Sequence, residues 1–309
     1  MKTISIVTPC YNEEGNIREV YKQVKSQFLQ LSNYEYEHIF IDNASNDKTV
    51  DILRSIAKED KNVKLILNAK NFGPIRSPYY GFLQAKGDAV MLIVADLQDP
   101  IELIPDFIKR WEEGIKVVIG IKSKSKESHI VYALRKIYYK IIKEISETEH
   151  ISNFTGFGLY DQSFVELLRN IEDPYPYFRG LVAELGCDIG TVEYTQAKRY
   201  KGITSYNLYS YYNYAMLGFV NQSKVPLRLA CFIGFAVAIL SLLAAFGYFV
   251  YKLLFWQEFS LGTAPIVIGL FFFSSVQLFF IGIIGEYVGA IHTQVRKRPL
   301  VIEKERVNF

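Results

Sequence analysis

Two long runs without a charged residue constrain this chain more than any other feature of its sequence. They span residues 229–251 and 259–285, which are 23 and 27 residues long. A helix needs about 20 apolar residues to cross the hydrocarbon core of a bilayer, and each run exceeds that length. The sequence therefore predicts a hairpin of two transmembrane helices, over about 229–254 and 262–288, inside an anchoring part that covers residues 227–291.

The charges beside these runs predict their orientation. Five basic residues flank the hairpin on its outer sides: Lys224, Arg228, Arg296, Lys297 and Arg298. The connecting loop, around residues 252–258, carries one lysine and one glutamate. Positive charge concentrates on the cytoplasmic side of membrane proteins. We therefore expect a multi-pass protein of the cell inner (cytoplasmic) membrane, with both termini cytoplasmic and a cytoplasmic tail over residues 292–309.

The first 204 residues have the pattern of a folded cytoplasmic domain. Their apolar N-terminal stretch is too short for a secretory signal and ends in charge. Short apolar runs alternate with amphipathic ones. The pattern predicts strands over residues 4–7, 38–41, 63–67, 89–94 and 117–121, and helices over residues 14–28, 47–57, 78–85 and 100–111. This alternation is typical of an α/β fold with a mostly parallel sheet covered on both faces.

Composition excludes several classes of protein. Half of the 309 residues are apolar and 22% are charged, which excludes a disordered chain. The 35 basic and 32 acidic residues leave a net charge of +3, too little for a nucleic-acid-binding protein. The three cysteines lie far apart in sequence and form neither a metal motif nor a disulfide framework.

Polar residues follow the predicted strands at the points where the strands end: Tyr11, Asn12, Asp42, Asn43 and Asp96. Open parallel sheets bind ligands at the carboxyl ends of their strands. The turn after the first strand suits a nucleotide base and ribose, although it is also a good helix start. Asp42 suits the imino hydrogen of a pyrimidine base. Its neighbour Asp47 fits a ligand contact and a helix N-cap equally well.

Two further segments have the chemistry of a diphosphate site. Asp96 and Gln98 lie two residues apart in an extended segment, so both side chains can face one divalent cation that diphosphate and water oxygens would complete. Such a cation neutralises charge on a leaving diphosphate. Arg199 and Lys201 suit phosphate groups. The alternative for this second segment is a basic turn beside the membrane.

Two segments have the composition of a membrane interface. Residues 122–143 hold seven basic residues and one glutamate, and their apolar residues recur at helical spacing. We predict a basic amphipathic helix over about 128–146 that lies on anionic headgroups; the alternative is a solvated surface helix. Residues 205–226 are rich in tyrosine, which predicts an interfacial segment or, alternatively, an aromatic core helix.

The ordered segments resemble glycosyltransferase family 2, and within it the membrane-bound polyprenyl-phosphate glycosyltransferases related to dolichyl-phosphate mannose synthase. The matching segments are "VTPCYNEEGNI", "ADLQDP", "YFRGLV", "RYKGITSY", "PLRL" and "GIIGEYVGAI". Together they extend from residue 4 to about residue 299. Each segment is unspecific alone, whereas the ordered set is specific.

The resemblance implies a GT-A type nucleotide-sugar domain and a metal-dependent hexosyltransferase. It implies transfer, with inversion, from a nucleotide-diphosphate sugar to a polyprenyl phosphate at the cytoplasmic face. Carried over by position, the nucleotide-binding residues are Pro9, Tyr11, Asn12, Glu13 and Asp42. Asp96 and Gln98 would hold Mg²⁺ or Mn²⁺, and Asp96 and Arg199 would be catalytic.

The chain departs from the family pattern at several positions. Val94 stands where the family usually has an aspartate, and Asn43 replaces a frequent second aspartate. A further acid is replaced within residues 155–161. Arg76 stands where the family tends to have a small residue, and we predict that it adds positive charge near the diphosphate. A phosphate acceptor is already ionised near neutral pH and needs no general base, so the missing acids favour this acceptor over a hydroxyl group.

Two alternative functions have to be considered for this sequence, and it also predicts self-association. A polysaccharide synthase is disfavoured because neither Trp111 nor Trp256 belongs to a Gln-x-x-Arg-Trp motif. A non-catalytic membrane scaffold of the same fold would account for Val94 and Asn43. Glycines spaced by three and four residues in the second run predict close helix packing in a homo-oligomer.

Overall fold

The computed structural model describes residues 1–124, 151–185, 188–197, 199–201, 213, 215–220, 223–255 and 263–309. The basic helix predicted over residues 128–146 lies outside these residues. So does most of the interfacial segment predicted over residues 205–226.

One mixed sheet organises the described part of the chain. Its strands are β1 (Lys2–Cys10), β2 (Tyr34–Asp42), β3 (Val63–Asn68), β4 (Ala89–Leu92), β5 (Val117–Lys124), β6 (Phe154–Asp161), β7 (Ile189–Thr195) and β8 (Glu303–Val307). The helices are α1 (Ile17–Gln30), α2 (Thr49–Glu59), α3 (Gly73–Gln84), α4 (Ile104–Glu112), α5 (Gln162–Arg169), α6 (Phe178–Glu184), α7 (Val225–Leu254) and α8 (Thr263–Val295).

The sheet order is β7-β5-β6-β4-β1-β2-β3-β8. β1 runs parallel to β2 and β4, β2 to β3, and β5 to β7. β6 is antiparallel to β4 and β5, and β8 is antiparallel to β3. The predicted α/β fold with a mostly parallel sheet is thus confirmed. Since β2, β1 and β4 are parallel neighbours, their carboxyl ends meet at one edge of the sheet.

Apolar residues cover both faces of the sheet. On one face, α1 buries Ile17, Val20, Val24 and Phe28, whose spacing of three and four residues gives the helix one apolar side. On the other face, α3 and α5 pack over a second cluster that contains Phe82. Each fully buried side chain of this size stabilises the fold by about 1.5–3 kcal/mol. This two-sided packing fixes the strands and therefore the loops that leave their ends.

α3 begins earlier than the sequence predicts. It starts at Gly73, whereas the prediction began at residue 78, and Pro78 lies inside the helix. Gly81 lets this helix approach the sheet closely. A Cβ at that position would lie 2.7 Å from Ile41 Cγ2 and 3.3 Å from Val7 Cγ1. The early start brings the loop before α3 to the carboxyl end of β2.

The C-terminal segment, predicted as a tail over residues 292–309, contributes a strand to the sheet. β8 pairs antiparallel with β3, and Asn308 Nδ2 donates to Ala57 O at 2.7 Å and to Val63 O at 2.8 Å. Four successive residues of β8 are charged, with alternating sign, and charged side chains are common on edge strands. Such a segment shows no alternation of apolar and polar residues, so its hydropathy does not predict a strand. Because β8 belongs to the N-terminal sheet, both segments that flank α7 and α8 lie on the same side of any membrane these helices cross.

α7 and α8 are long and apolar enough to cross a membrane. Their apolar stretches cover Val225–Tyr251 and Ile268–Val295, 27 and 28 residues with mean hydropathies of 2.6 and 2.1. Neither stretch is buried in the protein, so these are not core helices of a soluble domain. Phe232, for example, is 75% exposed and Leu242 is 72% exposed. Such exposed apolar surface supports association with a membrane.

The buried His38 on β2 predicts a loss of stability in mild acid. Burial lowers the pKa of His38 to about 3, and its Nε2 lies 2.9 Å from Thr8 Oγ1. The unfolded chain binds a proton near pH 6.5 that the fold excludes, so stability falls as the pH drops from about 6.5 towards 3. Between pH 7.5 and 5.5 we expect a loss of about 1.4 kcal/mol from this group.

Unfolding of the full chain in detergent at these two pH values measures this loss. His38→Gln removes the titrating group, so the difference between the two pH values should shrink by that amount. An equal pH dependence in the variant and the wild type would contradict the assignment.

Candidate active site

Backbone and side-chain hydrogen bonds join the loops that follow β1 and β2. Asn12 N donates to Ser45 Oγ at 2.9 Å, and Asn46 N donates to Asn12 Oδ1 at 2.8 Å. Glu13 N donates to Thr49 Oγ1 at 2.9 Å. Asn12 has a φ of 56°, a conformation that asparagine tolerates better than most residues. The two loops therefore form one surface at the carboxyl edge of the sheet.

Asp42 lies at the centre of this surface, at the end of β2. It is 1% exposed, and its Oδ2 accepts a hydrogen bond from Ser45 N at 2.9 Å. Burial raises the pKa of Asp42, whereas the Ser45 hydrogen bonds oppose that rise. The Asp42 carboxylate thus stabilises the turn that leads from β2 to Ser45. The predicted contact of Asp42 with a base stays a prediction.

Asn43 connects this edge to the loop before α3, and its amide explains the absence of an aspartate there. Asn43 Nδ2 donates to Asn71 Oδ1 at 2.9 Å and to Gly73 O at 3.2 Å. Asn43 Oδ1 accepts from Phe72 N at 2.8 Å. An ionised aspartate has no donor for the first two contacts. Asn43 is therefore suited to a structural role that an aspartate cannot fill in the same way.

Asp96 and Gln98 follow β4 and pair with the segment after β7. Gln98 N donates to Asp96 Oδ1 at 3.1 Å, and Tyr200 N donates to Asp96 O at 3.2 Å. Ala197 N donates to Gln98 O at 3.2 Å, and Gln98 Nε2 donates to Ala197 O at 3.3 Å. These contacts hold Gln98 against Ala197 and Asp96 against Tyr200, in the segment that follows β7.

Arg199 bridges two carboxylates across the site. Its Nη2 donates to Glu13 Oε1, and its Nη1 lies 3.8 Å from Asp96 Oδ2. Burial raises the pKa of Glu13 and that of Asp96, and in both cases the charge of Arg199 opposes the rise. Arg199 therefore joins the loop after β1 to the loop after β4. Three residues predicted to share one site are thus brought together.

A cavity opens beside Asp96, with about 340 Å³ of empty space when its open mouth is included. Its lining includes Leu92, Val94, Asp96, Gln98, Asp99, Thr155 and Gln196. Asp99 is 4% exposed, and Tyr194 Oη donates to its Oδ1 at 3.1 Å. Burial raises the pKa of Asp99 to about 7. No role for Asp99 was predicted from the sequence, although its position beside Gln98 in the "ADLQDP" segment was a signal.

The donor set at Asp96 and Gln98 fits a hard divalent cation. In the described part of the chain, no three His, Cys, Asp or Glu side chains form a metal-binding group. Asp96 Oδ2 lies 3.8 Å from Arg199 Nη1, too far for a hydrogen bond. The amide nitrogen of Gln98 donates to Ala197 O, which leaves its amide oxygen available. One carboxylate oxygen and one amide oxygen therefore remain as ligands. Mg²⁺ typically uses one or two carboxylates together with substrate phosphates and water.

Comparison with known proteins decides the family. The glycosyl transferase family 2 matches residues 5–169. The "SfII prophage-derived bactoprenol glucosyl transferase" of Shigella flexneri is 33% identical over 303 residues, 98% of this chain and 97% of the relative. The chain belongs to glycosyltransferase family 2.

A second relative agrees with this membership. The "Putative glycosyltransferase CsbB" of Bacillus subtilis is 33% identical over 98% of this chain and 91% of its own. The solved mannosyltransferase PcManGT of Pyrobaculum calidifontis, in complex with GDP-Man and Mn²⁺, covers 94% of this chain and 86% of its own, with 14% identity and a TM-score of 0.48. Family membership confirms the predicted GT-A type domain and the glycosyltransferase class.

Val94 makes this family 2 site poorer in charge, which predicts a gain from one substitution. Val94 is 40% exposed and lines the same cavity as Asp96 and Gln98. In Val94→Asp, a second carboxylate near the predicted cation position should tighten Mn²⁺ binding by about tenfold, which corresponds to about 1.4 kcal/mol. Titration of Mn²⁺ with nucleoside diphosphate present measures this change. Unchanged or weaker Mn²⁺ binding would contradict the proposed metal position.

The remaining predicted site residues lie at the end of β1 and on α3. Pro9 and Tyr11 are half-buried at the end of β1, beside the Asn12 turn. Arg76 on α3 is directed elsewhere, because its Nη2 donates to Pro299 O in the segment after α8. Burial lowers the pKa of Arg76. Its predicted contact with a diphosphate stays a prediction.

Proposed function

We propose that this protein transfers a hexose from a nucleotide-diphosphate sugar to a polyprenyl phosphate at the cytoplasmic face of the cell membrane, with inversion at the anomeric carbon. The observation that carries the proposal is the bridge from Glu13 through Arg199 to Asp96 beside an open cavity. Relatives named bactoprenol glucosyl transferases match almost the entire chain, including both apolar helices. This match supports a lipid carrier as the acceptor.

The joined loops after β1 and β2 suit the nucleoside. Their candidate contacts are Pro9, Tyr11, Asn12, Glu13 and Asp42. Asp96 and Gln98 would hold Mg²⁺ or Mn²⁺, which supplies charge stabilisation to the departing diphosphate when it is bound. Arg199 lies close enough to this position to exchange a carboxylate partner for a phosphate oxygen. Its planar guanidinium suits that contact.

The acceptor activates itself. A phosphate monoester carries about 1.5 to 2 negative charges at neutral pH, so its oxygen attacks the anomeric carbon without a general base. The bond from this carbon to the diphosphate breaks, and the nucleoside diphosphate leaves with the bonding electrons. Attack opposite the leaving group inverts the anomeric centre. The protein contributes alignment and electrostatic stabilisation.

The apolar helices and strand β8 would place the reaction beside the membrane surface. α7 and α8 would cross the bilayer, and β8 returns the chain to the catalytic sheet. The basic flanks favour a cytoplasmic position for this domain. The soluble donor and the lipid acceptor would therefore meet beside the membrane surface.

A paired acceptor assay tests the proposal. The purified full chain is incubated with Mn²⁺, a panel of labelled UDP- and GDP-hexoses, and either polyprenyl phosphate or a polyprenol of equal length. We expect organic-extractable label with the phosphate alone. Transfer to the alcohol alone would refute the proposal. Metal-dependent donor binding without transfer to either acceptor would favour the non-catalytic scaffold.

A further inference from the structure

A second cavity lies between α3 and α6, next to the one that contains Asp96. The empty space inside it, with its open mouth included, amounts to about 520 Å³. Ile75, Pro78 and Phe82 form its α3 wall, and Phe178 and Arg179 form its α6 wall. We call this cavity the α3–α6 groove. It is not used by the nucleotide and metal contacts described above.

The lining of the α3–α6 groove suits an amphiphile with an anionic head. Apolar and aromatic side chains predominate, and Arg179 is the one charged side chain among the described residues that line it. Tyr79 also lines the groove. Its hydroxyl already donates to Leu168 O at 3.2 Å, so the aromatic ring is the part of Tyr79 that can contact a ligand. A nucleotide needs many polar partners, whereas an isoprenyl chain needs an apolar wall and its phosphate needs one cation.

The groove adjoins the catalytic cavity. Leu92 and Thr155 line both cavities. A phosphate held at Arg179 would therefore face the cavity in which the sugar donor is expected.

Both walls of the groove are attached to the end of the second membrane helix. On the α3 side, Arg76 donates to Pro299 O, four residues beyond the end of α8. On the other side, Gln294 Nε2 in the last turn of α8 donates to Asp173 Oδ1 at 3.2 Å. Asp173 Oδ1 also accepts from Tyr175 N at 2.8 Å, next to the groove residue Pro176. The groove thus lies beside the C-terminal end of α8, where this helix would leave the membrane.

We propose that the α3–α6 groove binds the first isoprenyl units of the lipid acceptor, with its phosphate at Arg179. This assignment rests on the proposed function for the reaction, but the binding of an isoprenyl phosphate is separable from it. The phosphate oxygen that attacks becomes the bridging oxygen of a phosphodiester, and the nucleoside diphosphate departs from the other cavity. No proton has to be removed from the acceptor.

Steady-state kinetics with a ten-carbon isoprenyl phosphate test the groove. Arg179→Ala should raise the acceptor KM by about tenfold or more, because a charged hydrogen bond contributes about 1.5–3 kcal/mol. The donor dissociation constant should stay within about twofold of the wild-type value, which also verifies folding. Arg179→Lys should recover part of the loss. The matched control is Arg110→Ala on the exposed side of α4.

A second pair of variants tests the apolar wall. Ile75→Glu places an anion in the groove and should raise the same acceptor KM by about tenfold. Leu29→Glu makes the same chemical change at a 77% exposed position on α1 and serves as its control. Acceptor KM values unchanged in both Arg179→Ala and Ile75→Glu, with the wild type active, would overturn the groove and leave the proposed function intact.

Photolabelling tests occupancy without catalysis. A short isoprenyl phosphate with a diazirine in its second unit is irradiated with the full chain in detergent, and labelled peptides are mapped. We expect labels within residues 73–82 or 176–179, reduced by excess unlabelled isoprenyl phosphate. Labels confined to other segments would overturn the proposal. Groove labelling together with no transfer from any nucleotide sugar would retain the groove and reject the proposed function.

Discussion

Asp96→Asn is expected to lower kcat/KM for sugar transfer by about 10²–10³-fold, the largest effect of any single substitution in this protein. The substitution removes the carboxylate that we propose holds a divalent cation together with Gln98. Loss of one preorganised electrostatic contact to a developing charge typically has a cost of this size. Asparagine has nearly the same shape as aspartate and can still accept the hydrogen bond from Gln98 N, so the fold should be unaffected.

Initial rates over a range of Mn²⁺ concentrations measure the effect. The variant should require more metal as well as react more slowly, since the ligand itself is weakened. Asp106→Asn, an exposed acid on α4, is the matched control and should retain wild-type kinetics. Wild-type activity and metal dependence in Asp96→Asn would show that Asp96 is not the metal ligand.

Arg199→Ala is expected to weaken donor binding by about 10- to 100-fold. Its guanidinium contacts Glu13 and lies near Asp96, so its removal leaves two half-buried carboxylates without their shared cation. It would also remove the phosphate contact proposed for the bound donor. A charged hydrogen bond contributes about 1.5–3 kcal/mol, which corresponds to this range.

Calorimetric titration with nucleoside diphosphate and Mn²⁺ measures the loss. Arg199→Lys should recover only part of it, because lysine keeps the charge but cannot form two parallel hydrogen bonds. Arg110→Ala removes an exposed arginine on α4 and should bind the donor normally. Equal affinity of Arg199→Ala and the wild type would remove Arg199 from the donor site.

The sequence predicted correctly those elements that have a clear hydrophobic pattern or a long uncharged run. Apolar strands such as β1 and β2 have nearly continuous buried runs, and the polar residues at their ends follow directly from them. The meeting of Asp42 with the Asn12 turn then follows from parallel pairing alone. The two apolar helices were predicted from length and absence of charge.

Other features depend on tertiary contacts that carry no local signal. β8 has alternating charges and is stabilised by pairing with β3. The contact between Glu13 and Arg199 joins residues 186 positions apart. The role of Asn43 in holding the loop before α3 depends on where Gly73 O lies, which no pattern specifies. Arg179 lies within the "YFRGLV" segment, but the groove beside it is formed by α3 and α6, which lie about 100 residues apart in sequence, so no local pattern reveals it.

The identity of both reaction products tests the central claim most directly. The purified chain is incubated with its best nucleotide sugar and polyprenyl phosphate, and both products are determined by mass spectrometry. We predict one equivalent of nucleoside diphosphate and a lipid that carries a hexose through a single phosphate. Nucleoside monophosphate together with a lipid diphosphate sugar would contradict the account, because the protein would then transfer a sugar phosphate rather than a sugar.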